Sequence, residues 1–142
     1  MTTGDPRGSD VLQLQMSGSG TELAGYRMLV IEDDYLVAQD LCTALRRRGA
    51  EVIGPAPSMS RARELLSGSR PHCALLDVNL NGELVFDLAE ELRARQIPTI
   101  FTTGYDAAFL PAALRGTPCL QKPIDLNALL RVIRAADIPR EG

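Results

Sequence analysis

Three acidic side chains, Glu32, Asp33 and Asp34, end the unbroken apolar run Met28-Leu-Val-Ile31. Four consecutive apolar residues read as a short strand buried on both faces, the pattern of a central strand in a parallel sheet. Carboxylates placed at the C-terminal end of such a strand occupy the edge where open α/β sheets bind ligands. Two carboxylates about 4 Å apart repel by roughly 4 kcal/mol at an effective dielectric near 20, so the cluster calls for a bound cation or a basic partner. Asp34 is placed to cap the helix that follows, which leaves Glu32 and Asp33 for chemistry. The same pattern recurs at Cys73-Ala-Leu-Leu76, which ends in Asp77, while two later apolar runs lead into Thr103 and Lys122.

Each of these residues alone is a weak signal, because an acid or a threonine after a strand is often only a cap or a turn. Jointly they sit at the ends of four predicted strands. Lys122 carries an argument of its own, since the chain has 15 basic residues and every other one is Arg. A lone lysine fits a place where a compact ammonium on a flexible stem must touch an anion, a task for which the planar guanidinium is no substitute. Carboxylates with Lys and Thr suit phosphoryl chemistry. Hard oxygen ligands hold Mg²⁺ through one or two carboxylates and leave positions for water and phosphate oxygens. A Lys and a Thr hydroxyl can hold the remaining phosphoryl oxygens, and Asp77 is the candidate nucleophile or acceptor, forming an acyl phosphate. The protein's share in such a transfer is mainly positioning and charge neutralisation.

The elements that must position these groups follow from periodicity and punctuation. Val37, Leu41 and Leu45 mark an amphipathic helix from Tyr35 to Arg48 that stops at Gly49. Glu51 to Ile53 reads as a second strand broken by Gly54-Pro-Ala-Pro57, and a helix spans about Ser58 to Leu66. After Asp77, Asn79-Leu-Asn-Gly82 is a turn, and Leu84, Leu88 and Leu92 give the stripe of a third helix ending near Arg95. Pro98 to Phe101 is a fourth strand running into Thr102-Thr103-Gly104. A short or distorted helix is expected from Asp106, because Pro111 falls inside it. Thr117 to Leu120 is the fifth strand, and Asp125 caps a last helix with Leu126, Leu129, Leu130 and Ile133 on its apolar face. Strict alternation with short connections specifies an α/β fold: a doubly wound, five-stranded parallel sheet, flavodoxin-like, with helices on both faces and strand order 2-1-3-4-5. That order brings Glu32, Asp33 and Asp77 together at one edge, with Thr103 and Lys122 on the same rim.

With 142 residues the chain suits one domain able to bury about two-thirds of its unfolded surface. The composition, 45% hydrophobic and 23% charged, is that of an ordinary globular protein. A net charge of -3 without a basic stripe argues against nucleic acid as a partner. No apolar run approaches membrane-spanning length, which argues against a membrane role. Cys42, Cys73 and Cys119 lack metal-ligand spacing and read as small core residues in a reducing cytoplasm. Residues 1–26, rich in Gly, Ser and Thr, read as a flexible tail whose one feature is Val11-Leu-Gln-Leu-Gln-Met16. The domain is expected at 27–138, with a short tail at 139–142. His72, the only histidine, lies five residues before Asp77, about 16 Å along a strand and on the other face. It reads as the residue that opens strand three, not as a phosphate relay.

From about Arg27 to Ala136 the chain resembles a response-regulator receiver domain of bacterial two-component signalling. The resemblance is carried by Glu32-Asp33, by Leu76-Asp77-Val78-Asn79, by Phe101-Thr-Thr103-Gly104 and by Lys122-Pro123, a highly specific set at these spacings. Pro98-Thr-Ile-Phe-Thr-Thr-Gly-Tyr105 is similar to the signature of the FATGUY group, many of whose members are single-domain proteins. The resemblance implies that Asp77 accepts a phosphoryl group from a phosphohistidine of a sensor histidine kinase or histidine phosphotransfer protein. It implies that Asp33, Asp77 and the backbone carbonyl of Asn79 ligate Mg²⁺ with help from Glu32, that Thr103 and Lys122 bind the phosphoryl oxygens, and that the Lys122-Pro123 peptide is cis.

Three departures bear on this expectation. Cys119 stands where receivers commonly carry an aromatic switch residue, Asn81 where they often have Pro, and Ile124 where they often have Phe. The missing aromatic leaves Thr103 and Tyr105, joined by the permissive Gly104, as the expected switch. Few residues follow the last helix, so a stand-alone phosphoacceptor is expected, signalling through an unknown downstream protein or acting as a phosphate sink, and not an enzyme. An alternative is a small Mg-dependent aspartyl phosphohydrolase, although such enzymes want a second acid where Asn79 stands. A receiver-like module that is never phosphorylated is the third reading, and the complete site weighs against it.

Overall fold

In chain order the computed structural model, which describes residues 18–104 and 114–141, runs β1 (Arg27–Ile31), α1 (Tyr35–Arg47), β2 (Glu51–Ala56), α2 (Met59–Gly68), β3 (Cys73–Asp77), β4 (Asn79–Leu80), β5 (Glu83–Leu84), α3 (Phe86–Ala94), β6 (Thr99–Thr103), β7 (Cys119–Gln121) and α4 (Leu126–Ala135). One parallel sheet has the order β2-β1-β3-β6-β7, which is the expected 2-1-3-4-5 arrangement with β6 and β7 as fourth and fifth strands. β4 and β5 pair with each other alone, antiparallel. Apolar density sorts the strands. β1, β3 and β6 are buried along almost their whole length and lie centrally, whereas the edge strands β2 and β7 are half-exposed.

Because side chains alternate along a strand, each central strand feeds two cores. Met28, Val30, Cys73, Leu75 and Ile100 pack on one face with Leu41, Cys42 and Leu45 of α1 and Leu129, Leu130 and Ile133 of α4. Leu29, Ile31, Ala74, Leu76 and Phe101 pack on the other with Ala62 and Leu66 of α2 and Leu88, Ala89 and Leu92 of α3. Three of the four described helix starts carry a side-chain cap, Asp34 accepting from the Val37 N–H, Ser58 from Arg61 and Asp125 from Asn127, while α3, entered from Val85, has none. Cys42 and Cys73 lie in the core, Cys119 is half-buried, and all three are free thiols; burial pushes the Cys73 thiol up to about 12.

Several local expectations are corrected. Gly54-Pro55 does not break the second strand, which continues to Ala56. The ring is tolerated because β2 is an edge strand, and a register shift against Leu29 and Ile31 absorbs the irregularity. Gly54 has φ +98° and lies so close to β1 that a Cβ would sit 2.9 Å from the Val30 carbonyl oxygen, so only glycine fits. Leu84 is not part of the third helical stripe. It stands in β5 and is exposed, and α3 begins at Phe86 with Val85, Leu88, Ala89 and Leu92 inward. The turn chemistry of Asn81-Gly82 outcompetes the leucine spacing.

The stretch expected to be a flexible tail before β1 is, in its described part, anchored to the domain at Leu23 and Tyr26 while its other residues are exposed. Leu23 is wholly buried, Tyr26 nearly so, and the N–H groups of Gly20 and Leu23 donate to the Arg47 and Arg48 carbonyls at the end of α1. The C-terminal residues join them, with the Glu141 N–H on the Gly25 carbonyl and Arg140 Nη1 on the carbonyls of Glu22 and Ala24. Residues 1–17, with the Val11 to Met16 segment, lie outside the described residues, as do Tyr105 and the expected helix around Pro111. Among the described residues no helix is long and apolar enough to cross a membrane.

Candidate functional site

The site is assembled by strand ends. β1 delivers Glu32 and Asp33, β3 ends on Asp77, β6 ends on Thr103, and Lys122 follows β7. Each is fixed locally. The Glu32 N–H donates to the Ala56 carbonyl, so the run of β2 through Gly54-Pro55 is what seats this acid. The Lys122 N–H donates to the Thr103 carbonyl at 2.7 Å, which ties the lysine to the end of β6. The Lys122-Pro123 peptide is cis, as the resemblance implies.

Side chains then converge. Lys122 Nζ lies 2.6 Å from Glu32 Oε1 and 2.7 Å from Asp77 Oδ2. Asp77 Oδ1 accepts from the Asn79 N–H at 3.1 Å, Glu32 Oε2 from the Asp34 N–H at 3.0 Å, and Asp33 Oδ2 from the Asn81 N–H at 2.9 Å. Glu32, Asp33 and Asp77 each offer an oxygen, all within 4.8 Å of one another. Glu32 and Asp77 are 4% and 5% exposed, burial that carboxylates accept only when paired.

The charge balance is negative, with three carboxylates against one ammonium. Burial pushes the Glu32 carboxyl up to about 7, against the hydrogen bonds from Lys122 and the Asp34 N–H, and the Asp77 charge adds to the push. Burial works against the Lys122 charge as well, but the hydrogen bonds and charges of Asp77 and Glu32 outweigh it and hold the ammonium above its ordinary range. A divalent cation would relieve that excess. The donor set fits Mg²⁺, whose octahedral shell places oxygens about 3 to 4 Å apart and favours one or two carboxylates with water in the remaining positions.

Of the sequence-predicted residues, Glu32, Asp33, Asp77 and Lys122 are thus brought together, with Thr103 buried and its carbonyl bonded to the Lys122 N–H. Asn79 lies directly after β3, and its side-chain Oδ1 accepts from the Gly82 N–H. Tyr105 lies outside the described residues, so the expected switch is represented only by Thr103 and the exposed Gly104. His72 stands at the opposite end of β3, where its Nδ1 accepts from the Arg27 N–H. The contact that sequence reasoning missed is Asn81 with Asp33. A backbone donor leaves no side-chain signal, and the one trace of it was the Asn-Gly turn.

Residues 28–134 match the family model of the response regulator receiver domain. The chain is 33% identical over 124 residues to the phyllosphere-induced regulator PhyR of Methylorubrum extorquens, covering 79% of this chain and 46% of that protein. It is 30% identical over 112 residues to the sensory transduction protein LytT of Bacillus subtilis, covering 76% of this chain and 46% of LytT. The chain spans about half the length of the curated relatives it matches. Among solved structures, SdrG from Sphingomonas melonis Fr1 superposes with a TM-score of 0.69 at 30% identity, over 80% of this chain and 96% of SdrG.

Proposed function

The chain belongs to the family of response regulator receiver domains, and on that premise we propose that it is a Mg²⁺-dependent phosphoacceptor whose acceptor is Asp77. The observation that carries the reading is the placement of Asp77. It is a nearly buried carboxylate, hydrogen-bonded to the only lysine of the chain and within 4.8 Å of two further acids. In the transfer, a carboxylate oxygen of Asp77 attacks the phosphorus of a phosphohistidine. The O–P bond forms as the P–N bond breaks, and the electron pair returns to the imidazole of the donor. Glu32, Asp33, Asp77 and the carbonyl of Asn79 would hold Mg²⁺, which supplies charge neutralisation at the phosphoryl oxygens. Lys122 loses one of its two anions when Asp77 is phosphorylated and gains phosphoryl oxygens in exchange, and in this reading the Thr103 hydroxyl takes another.

A sensor histidine kinase or histidine phosphotransfer protein is the donor in this reading, and the output is a changed protein contact or removal of phosphate from the donor. Three apolar side chains close to the site in the chain, Tyr35, Leu36 and Leu84, are 59–71% exposed and offer a protein partner contact area. The free thiols suit a reducing compartment, and a cytoplasmic setting is part of the reading. Nothing favours a hydrolase: the position two residues after Asp77 carries an amide engaged in its own hairpin. The test is incubation of the protein with a small phosphodonor and Mg²⁺, with the phosphorylated residue located by mass spectrometry. Label is expected on Asp77 and absent from Asp77→Ala; equal labelling of that variant would refute the assignment.

A further inference from the structure

The turn after Asp77 is built from Asn79-Leu-Asn-Gly82, with Asn81 at φ +50° and Gly82 at φ +84°. Two consecutive positive φ values make the tight hairpin turn that Asn-Gly favours, and they close β4 onto β5. Leu80, 1% exposed, anchors this hairpin in the core, while Asn81 to Leu84 stay in solvent. Such a short exposed ladder has little stability of its own. It is held instead by three hydrogen bonds that form a continuous path between two acids of the site. The Asn79 N–H donates to Asp77, Asn79 Oδ1 receives the Gly82 N–H at 2.8 Å, and the Asn81 N–H donates to Asp33 at 2.9 Å. The last bond spans 48 positions of sequence and is the one that fastens the hairpin to β1.

We propose that the β4–β5 hairpin braces the cation site: the backbone N–H of Asn81 positions Asp33, and the side chain of Asn79 is the positioning group that locks the turn which aims it. The inference rests on the reading that Asp33 is a cation ligand. Asp33 is only partly buried, and its carboxylate would otherwise rotate among rotamers in water. A hydrogen bond from N–H to a carboxylate is charge-assisted and short, so it fixes one oxygen and leaves a second oxygen for the cation. The position of Asn81 decides the matter. A proline, frequent there in receivers, has no N–H to donate and cannot reach positive φ.

Mg²⁺ affinity, followed by titration calorimetry because the chain has no Trp, is read beside the exchange rate of the Asn81 amide. In the full chain the Asn81 amide is expected to be protected. In Asn79→Ala the protection falls at least tenfold and Mg²⁺ binds about threefold to tenfold more weakly. Asn81→Gly keeps both the N–H and the positive φ and is expected to bind Mg²⁺ within about twofold of the unaltered chain. Asn81→Pro removes the donor and loses at least as much affinity as Asn79→Ala. Unchanged affinity in Asn79→Ala overturns the brace, as does weakened affinity with the Asn81 amide still protected, or free exchange of that amide in the unaltered chain. An unaltered chain that binds Mg²⁺ but takes no phosphate refutes the phosphoacceptor reading and leaves the brace to the binding arms. A chain that takes up no Mg²⁺ refutes both.

Discussion

At the N-terminal end of the strands, polar groups meet complementary partners. The Tyr26 hydroxyl donates to the Ile138 carbonyl at 2.6 Å, Arg27 donates to the Arg70 carbonyl and to Glu141, and Arg140 lies 5.3 Å over the Tyr26 ring while donating to two carbonyls. At the C-terminal end, Glu32 and Asp77 share Lys122, while Asp33 lies beside them with only a backbone N–H, that of Asn81, as its donor among the described residues. Both ends are built from residues distant in sequence, and the difference lies in what each leaves over. One end spends its charges on holding the two ends of the described chain together. The other keeps uncompensated negative charge in a nearly buried place, a cost to stability that a bound cation would relieve.

The largest expected effect tests the first half of that contrast. Leu23→Ala empties a wholly buried position and is expected to cost about 2–5 kcal/mol in denaturant unfolding, with Mg²⁺ affinity of the folded protein unaltered. A loss below about 1 kcal/mol would mean that residues before β1 merely rest on the domain. Asp33→Asn tests the second half. The amide keeps an oxygen for the Asn81 N–H but removes a charge, so Mg²⁺ affinity is expected to fall roughly tenfold to a hundredfold, about 1.4–2.8 kcal/mol. Stability without metal should hold or rise. A variant that is clearly less stable without Mg²⁺ would show the acids to be structural.

The contrast also governs what could be read from the sequence. Glu32, Asp33, Asp77, Thr103 and Lys122 were legible because a residue at a strand end has its place fixed once the strand order is known, and strict strand–helix alternation points to a common doubly wound order. Asp34 and Asp125 were legible as caps because capping is local. Leu23 was not legible, since it joins a core assembled from β1, α1 and residues as far along the chain as Ile138, and a Gly/Ser-rich neighbourhood hides one anchoring leucine. The course of β2 through Gly54-Pro55 was hidden by breakers whose effect vanishes at a sheet edge. Leu84 was misplaced because its spacing with Leu88 and Leu92 fits a helix as well as the Asn81-Gly82 turn fits a hairpin.

A smaller effect is expected where charge is kept and only shape changes. Lys122 Nζ reaches Glu32 and Asp77 from a single atom, whereas a guanidinium must spread its donors across a plane. Lys122→Arg is expected to lower the phosphorylation rate by about tenfold at saturating Mg²⁺, about 1.4 kcal/mol, as measured by acyl-phosphate formation over time. A rate equal to that of the unaltered chain would reduce the lone lysine to a compositional accident.

The smallest effect separates the two ends most cleanly. Tyr26→Phe removes one hydroxyl and leaves the ring, so the edge contact with His72 and the approach of Arg140 remain possible while the Ile138 carbonyl loses its donor. Tyr26 is 7% exposed, so water cannot freely replace the hydroxyl, and the cost is expected near 1 kcal/mol in unfolding experiments. Ile138 is itself buried and follows α4, the helix whose other end begins just after Lys122-Pro123. If the terminal contacts served only to close the fold, phosphorylation of Asp77 in Tyr26→Phe would keep its unaltered rate and lifetime. The division of labour between the two ends predicts that outcome. A lifetime changed by more than about twofold, with the protein fully folded, would instead show that the terminal contacts hold α4 against a movement the phosphoryl site drives, and the two ends would then have to be treated as coupled.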